Sequence, residues 1–277
     1  MQRRGVEMTP PARVRPTLLL HGVSAERSQG RGKKAFTAVI NDLTFLAEAG
    51  EAVGFLGSRR DGAALIAEVI TGNSVPTDGK IYVDGEPVVL DAAGSYDAEE
   101  SLRFNMVRFA TANRMSGQRV TSAVATVAAE AQIGDETLDE LVQNIDQEVV
   151  DRIRFYLALV TGTRILVIDE AETLVELLAN DGEQRKLEAF HRRGGTLIVV
   201  SHEIRHLLQL TNRICWIHDG RVIMDDEPAT VKRWRTQLTT AERKGESKRA
   251  VQLLRRFQKG YIPPVLSVRG GARRRVS

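Results

Sequence analysis

The sequence predicts an α/β domain with a largely parallel sheet, to which an antiparallel β part and a helical part are attached. Three observations predict it. Short apolar runs such as "RILVID" and "TLIVVS" alternate with stretches of helical pattern. Two Asp-Gly pairs, Asp84-Gly85 and Asp219-Gly220, stand between apolar residues, which is a hairpin signal. Residues 97–160 read as mostly helical, with polar breaks.

Taken in order, 1–16 is rich in Pro and Arg and is expected to be a loose tail. "TLLLHGVS" (17–24) reads as a strand, "RSQGRGKK" (27–34) as a surface turn, and "AVINDLTF" (38–45) as a half-buried strand. "EAVGFLG" (51–57) is a short apolar strand ending in Gly57, and Ala63 to Thr71 is a helix stopped by Gly72. "KIYVDGEPVVL" (80–90) predicts a hairpin at Asp84-Gly85. "RILVIDE" (164–170) and "TLIVVSHE" (196–203) are buried strands, with a polar helix over 182–192 between them. "ICWIHDGRVIMDD" (214–226) predicts a second hairpin. From about Val231 the chain turns basic and helical, and it finishes in "RGGARRR" with a disordered composition.

Composition bounds the function. The 277 residues are 42% hydrophobic and 27% charged, ordinary for a globular protein with a sizeable core. Cys215 is the one cysteine, which excludes an internal disulfide and suits a reducing compartment. No apolar run has the length of a membrane span, and 1–16 has no apolar signal core. Of 39 Lys+Arg, 14 lie in 230–277 with only 2 of the 36 Asp+Glu, so the remainder carries 25 basic and 34 acidic residues. An acidic body therefore carries a basic end, suited to anionic lipid, an acidic partner or nucleic acid. Few aromatics interleave the basic residues there, which disfavours single-stranded nucleic acid.

The chemistry-bearing stretches are strand ends. "GFLGSRRDGAALIAEVITG" (54–72) has the outline of a phosphate-binding loop: strand, glycine, gap, glycine, helix. "LVIDE" delivers Asp169 and Glu170, and "VVSHE" delivers Ser201 and His202, to the strand edge where open α/β sheets bind ligands.

Taken together, glycine loop, strand-Asp-Glu, strand-Ser-His and closing hairpin resemble the ATPases of ABC transporters over about 17–231. "ESLRFNMVRF" (100–109) and "NIDQEV" (144–149) are similar to the branch that exports capsular polysaccharide, O-antigen and teichoic acid. The resemblance implies a P-loop NTPase, RecA-like core, with antiparallel β and helical subdomains. It implies ATP and Mg²⁺ as cofactors, with Gly57, Ser58, Arg59, Arg60, Gly62, Ala63 and Ala64 as the phosphate loop. By the same resemblance Asp169 holds Mg²⁺ through water, Glu170 and His202 are the catalytic positions, and Phe36 is a candidate to stack on adenine.

The pattern is broken in this chain. Ala63 stands where the family has the phosphate-binding lysine, and Ala64 where it has the Mg²⁺-binding hydroxyl. Arg59 or Arg60 could supply the missing charge, and Asp61 would repel phosphate. Counted back from Asp169, the small Ser-Gly signature pair is replaced by Asp146, Gln147 and Glu148; otherwise the signature is deleted. The family's middle-loop glutamine has no secure place, with Ala112 nearest and Gln118 too late.

Three functions remain open. One is a catalytically degenerate cassette subunit bound to a membrane permease of a polysaccharide exporter, paired with a second copy or an active paralogue. It would be cytoplasmic and peripheral on the inner face of the plasma membrane. Another is a divergent but active ATPase of that exporter. The third is an interaction protein using the basic 232–277 tail on anionic membrane or nucleic acid.

Overall fold

A computed structural model describes residues 16–29, 36–90, 96–169 and 171–264. The chain opens with two long strands, β1 (Pro16–Gln29) and β2 (Phe36–Glu48), followed by β3 (Ala52–Leu56), α1 (Ala63–Ile70), β4 (Asp78–Val83) and β5 (Val88–Leu90). A helical stretch follows: α2 (Leu102–Ala112), α3 (Gln118–Ala131), α4 (Asp135–Asp139) and α5 (Gln147–Val160). Then come β6 (Ile165–Ile168), α6 (Ala171–Leu177), α7 (Asp181–Arg192), β7 (Thr196–Ser201), α8 (Ile204–Leu210), β8 (Arg213–His218) and β9 (Arg221–Asp226). Two helices, α9 (Pro228–Arg243) and α10 (Ser247–Gly260), complete it.

The main sheet has the order β5-β6-β7-β3-β8-β9, with β5 through β8 parallel and β9 antiparallel at the edge. A second, antiparallel sheet has the order β2-β1-β4. Alternate residues of the central strands feed two cores. Leu166, Ile168, Leu197, Val199 and Trp216 face the helical side, whereas Ile165, Val167, Ile198, Val200 and Cys215 face α1 and the antiparallel sheet. Both faces are dry, so these strands read as unbroken apolar runs.

Two expectations change. The Asp84-Gly85 pair does not make a hairpin. β4 pairs with β1 and β5 with β6, so the turn carries the chain from one sheet to the other. The dipeptide supplies a left-handed turn at Gly85, with φ 92°, but the pairing partners are remote in sequence. Nor is the 27–34 stretch a turn throughout, since β1 continues to Gln29, and 30–35 lies outside the described residues.

The division drawn at 231/232 does not coincide with a break in packing. Val231, Leu238, Ala241, Ala250 and Phe257 are buried in the helical-side core. The Phe257 ring lies 5.6 Å from Trp216 and 5.4 Å from Trp234. Beyond it the Tyr261 hydroxyl donates to the Thr44 carbonyl of β2. The reading of 1–16 as loose and of the "RGGARRR" end as disordered falls almost wholly outside the described residues.

Candidate functional site

The site lies at the carboxyl ends of β3, β6 and β7, where a parallel sheet leaves its crevice. The loop leaves β3 at Gly57, whose N–H donates to the Ser201 carbonyl at the end of β7. It runs into α1 through Gly62, in the left-handed region at φ 91°. A Cβ on Gly62 would lie 2.2 Å from the Val39 carbonyl oxygen, so glycine is required by position as well as by φ. Asp169 follows β6, and His202 follows β7. Glu170 lies outside the described residues.

These ends enclose a cavity of about 240 Å³ lined by Gly57, Arg59, Ala64, Asp169, His202 and His206, with Glu172 and Glu203 on its acidic side. Of the residues expected from the sequence, Gly57, Arg59, Ala64, Asp169 and His202 are thus brought to one place. Ser58, Arg60, Gly62, Ala63 and Phe36 do not line the cavity. Ala63 is fully buried in the α1-side core. Arg60 is turned aside, its guanidinium 5.2 Å above the Phe36 ring. The ring expected to stack on adenine is already covered by that arginine.

Asp61 is turned away as well. One carboxylate oxygen accepts from the Ser58 N–H at 2.9 Å and from the Ser58 hydroxyl at 2.5 Å. The other accepts from the Asp219 N–H at 3.2 Å and lies 3.2 Å from His218 Nδ1. The Gly220 N–H donates to the Asp61 carbonyl, and the Gly220 carbonyl accepts from the Asn41 N–H. The loop, the β8–β9 turn and β2 are thereby fastened together. Burial alone would raise the Asp61 carboxyl, but hydrogen bonds from His218, Ser58 and Asp219 hold it well below the usual carboxylate range. The hydrogen bond to Asp61 raises the His218 imidazole above its ordinary value, against the opposing effect of burial. The expected repulsion of phosphate by Asp61 is therefore reduced, because the carboxylate is directed at the hairpin. His218 was not anticipated from sequence; its one signal is its place at the end of the strand before the Asp219-Gly220 turn.

Solved structures with the same arrangement decide the fold. An ATP-binding cassette solved as a dimer in a post-hydrolysis state, bound to ADP and phosphate, superposes with TM-score 0.59 and 16% identity, covering 76% of this chain and 98% of its own. CbiO1 of Clostridium perfringens, part of an ABC transporter complex, superposes with TM-score 0.60 and 15% identity over 82% of this chain and 94% of its own. The fold is that of an ATP-binding cassette. No protein-family model matches the chain.

Curated relatives of this chain are named as export proteins. A teichoic acids export ATP-binding protein of Listeria innocua is 26% identical over 66% of this chain. A Nod factor export ATP-binding protein of Rhizobium sp. (strain N33) is 28% identical over 71% of this chain and 69% of its own length. An O-antigen export ATP-binding protein of Myxococcus xanthus is 24% identical over 89% of this chain. The matched part spans about half of the Listeria and Myxococcus proteins, 54% and 53% of their lengths.

A cassette implies a magnesium-bound nucleotide, and the residues present fit it poorly. Ala63 has no exposed surface from which a lysine could reach a phosphate, and Ala64 offers no hydroxyl. The one cluster of three potential metal ligands among the described residues is Asp61, His218 and Asp219, and Asp61 and His218 are already hydrogen-bonded to each other. At the N-terminus of α5, Asp146 accepts from the Glu148 N–H at 2.9 Å and so caps its own helix. Ala112, the nearest candidate for a middle-loop position, ends α2 and does not line the cavity.

Proposed function

We propose that the chain is a catalytically silent ATP-binding-cassette subunit of a polysaccharide exporter, acting as a scaffold or regulator. The observation that carries the reading is Ala63: the position for a phosphate-binding lysine is fully buried core. Ala64 and the self-capped start of α5 support it from two further places. Loss of the charge and donors that stabilise phosphoryl transfer removes orders of magnitude in rate. The export relatives support a membrane permease as partner, with a second copy or an active paralogue completing the assembly. No helix among the described residues is long and apolar enough to cross a membrane. The subunit is read as cytoplasmic and peripheral, reaching the inner face of the membrane through its permease.

The test is ATP turnover by the purified chain, alone and with its permease, in Mg²⁺. The expected result is none above background. Turnover at an ordinary transporter rate that disappears in Glu170→Gln overturns the reading in favour of a divergent active ATPase.

The basic end supports one addition. Lys248, Arg249, Arg255, Arg256 and Lys259 are exposed on α10 while its apolar side is packed on the body. Such a face suits anionic headgroups next to the permease. Sedimentation with vesicles containing anionic lipid should be lost when salt is raised.

A further inference from the structure

A groove runs along α7, between that helix and parts of α3 and α5. It consists of two cavities, of about 560 and 580 Å³, that share Glu130, Tyr156 and Lys186. The first adds Arg152 of α5 and Arg185 of α7. The second adds Arg164 and Arg193, in the turns that lead into β6 and β7. The groove therefore reaches the amino ends of these strands, whereas the crevice described above lies at their carboxyl ends. Five cations line it against one acid, Glu130, although the body of the chain is acidic overall.

The five cations are not equally engaged. Lys186 pairs with Glu130 at 2.7 Å and lies 4.4 Å from the centre of the Tyr156 ring. Arg164 pairs with Asp84. Arg152, Arg185 and Arg193 make no ion pair and no side-chain hydrogen bond among the described residues. The Arg152 Nε is buried and has no hydrogen-bond partner. Buried polar groups are nearly always paired, so this one calls for an acceptor. The neighbouring Tyr156 hydroxyl is already committed, donating to the Glu183 carboxylate at 2.8 Å. A guanidinium meets a carboxylate with two parallel N–H donors, and that match makes carboxylates its preferred partners.

We infer that this groove binds an acidic peptide segment of a partner protein in extended form. Arg185 and Arg193 are eight positions apart along α7 and its cap, about 12 Å at the helical rise. An extended chain covers about 13 Å in four residues and brings its side chains back to the same face. Carboxylates four positions apart on such a chain match the two arginines, with Arg152 beside the first. A single phosphoryl group is too short to meet both arginines, and a flat lipid surface does not enter a groove. The inference does not depend on the silent reading, because no residue of the crevice takes part.

The test is fluorescence anisotropy of the full chain with a short labelled Gly-Ser peptide carrying two glutamates four positions apart. Binding is expected, with loss when both glutamates are replaced by glutamine and several-fold weakening when they are placed side by side. Arg185→Gln combined with Arg193→Gln should weaken binding at least about tenfold, a change of about 1.4 kcal/mol. Both side chains are exposed, so thermal melting of that variant should be unchanged. Arg152→Lys, which keeps the charge without the fork, should weaken binding several-fold. Arg255→Gln combined with Lys259→Gln, on the exposed basic face of α10, should change it by less than about twofold.

No binding by the wild type, or wild-type affinity in the Arg185 and Arg193 variant, overturns the inference. An equal loss in the α10 variant overturns it in favour of the basic end. Equal affinity for adjacent glutamates overturns the extended match to two arginines. Displacement by inorganic phosphate or a short oligonucleotide at lower concentration than unlabelled peptide overturns the choice of a peptide.

Discussion

Two helix N-termini, those of α1 and α5, are held in different ways. The start of α1 is deep in the fold. Gly62 presses against Val39, Ala63 is buried, and Asp61 fastens the loop to the β8–β9 turn. The start of α5 is exposed, and Asp146 satisfies it locally. In each case a carboxylate accepts from a nearby backbone N–H. At α1 the surrounding packing fixes the shape of the loop. At α5 the residues Asp146, Gln147 and Glu148 are all exposed. A backbone path shared by three elements resists change; a solvated cap does not.

This contrast is breakable by substitution. Gly62→Ala should have the largest effect. It forces a side chain into a left-handed conformation and onto the Val39 carbonyl, costing about 3 kcal/mol or more. Denaturant unfolding measures it, and a loss within about 1 kcal/mol would show that the start of α1 is no more constrained than that of α5.

Asp61→Ala should come next, at about 2 kcal/mol, because it removes charge-assisted hydrogen bonds from a half-buried junction. Its pH dependence sharpens the point. The His218 pKa is raised by Asp61, so its contribution is complete below about pH 6.5 and is lost as pH rises through the raised value. The Asp61 pKa is lowered, so its contribution holds above about pH 4 and is lost as pH falls toward the lowered value. Wild-type stability measured from about pH 6 to pH 9 should therefore decline more than that of His218→Gln. Equal slopes would mean that the hairpin does not secure the loop through this pair.

Asp146→Ala should have the smallest effect, about 1 kcal/mol for loss of a helix cap, read as a small shift in unfolding midpoint. A loss matching that of Asp61→Ala would put the two helix starts under equal constraint.

Much of the fold could be read from the residues. The runs at 165–168 and 196–201 became central parallel strands because their alternate residues meet two separate cores. The Asp219-Gly220 pair turned a hairpin, with Asp219 at φ 47° and Gly220 at φ 74°. Asp84-Gly85 carries the same local signal but a different outcome, because β4 finds β1 and β5 finds β6. The stretch from about Val231 was legible as helical, but its basic composition concealed that the two helices pack on the body through Leu238, Ala241, Ala250 and Phe257. Composition averages over a helix, whereas packing uses one face.

At the site, residue type gave Ala63, Ala64 and Asp146-Gln147-Glu148, which the proposed reading takes for a lost lysine, a lost hydroxyl and a lost small pair. Those residue types can be read without coordinates. The destinations of Arg59, Arg60 and Asp61 were set only by the tertiary structure. Neighbouring residues on a tight loop point in different directions, and Phe36, His218 and the β7–α8 crevice are far away in sequence. His206 belongs with them. Nothing in "SHEIRHLL" distinguishes it from a surface histidine until α8 packs and buries it beside the cavity. Local pattern specifies strands and helices, because those depend on near neighbours. Which charged group is held by the scaffold and which lines the cavity depends on contacts across the whole chain.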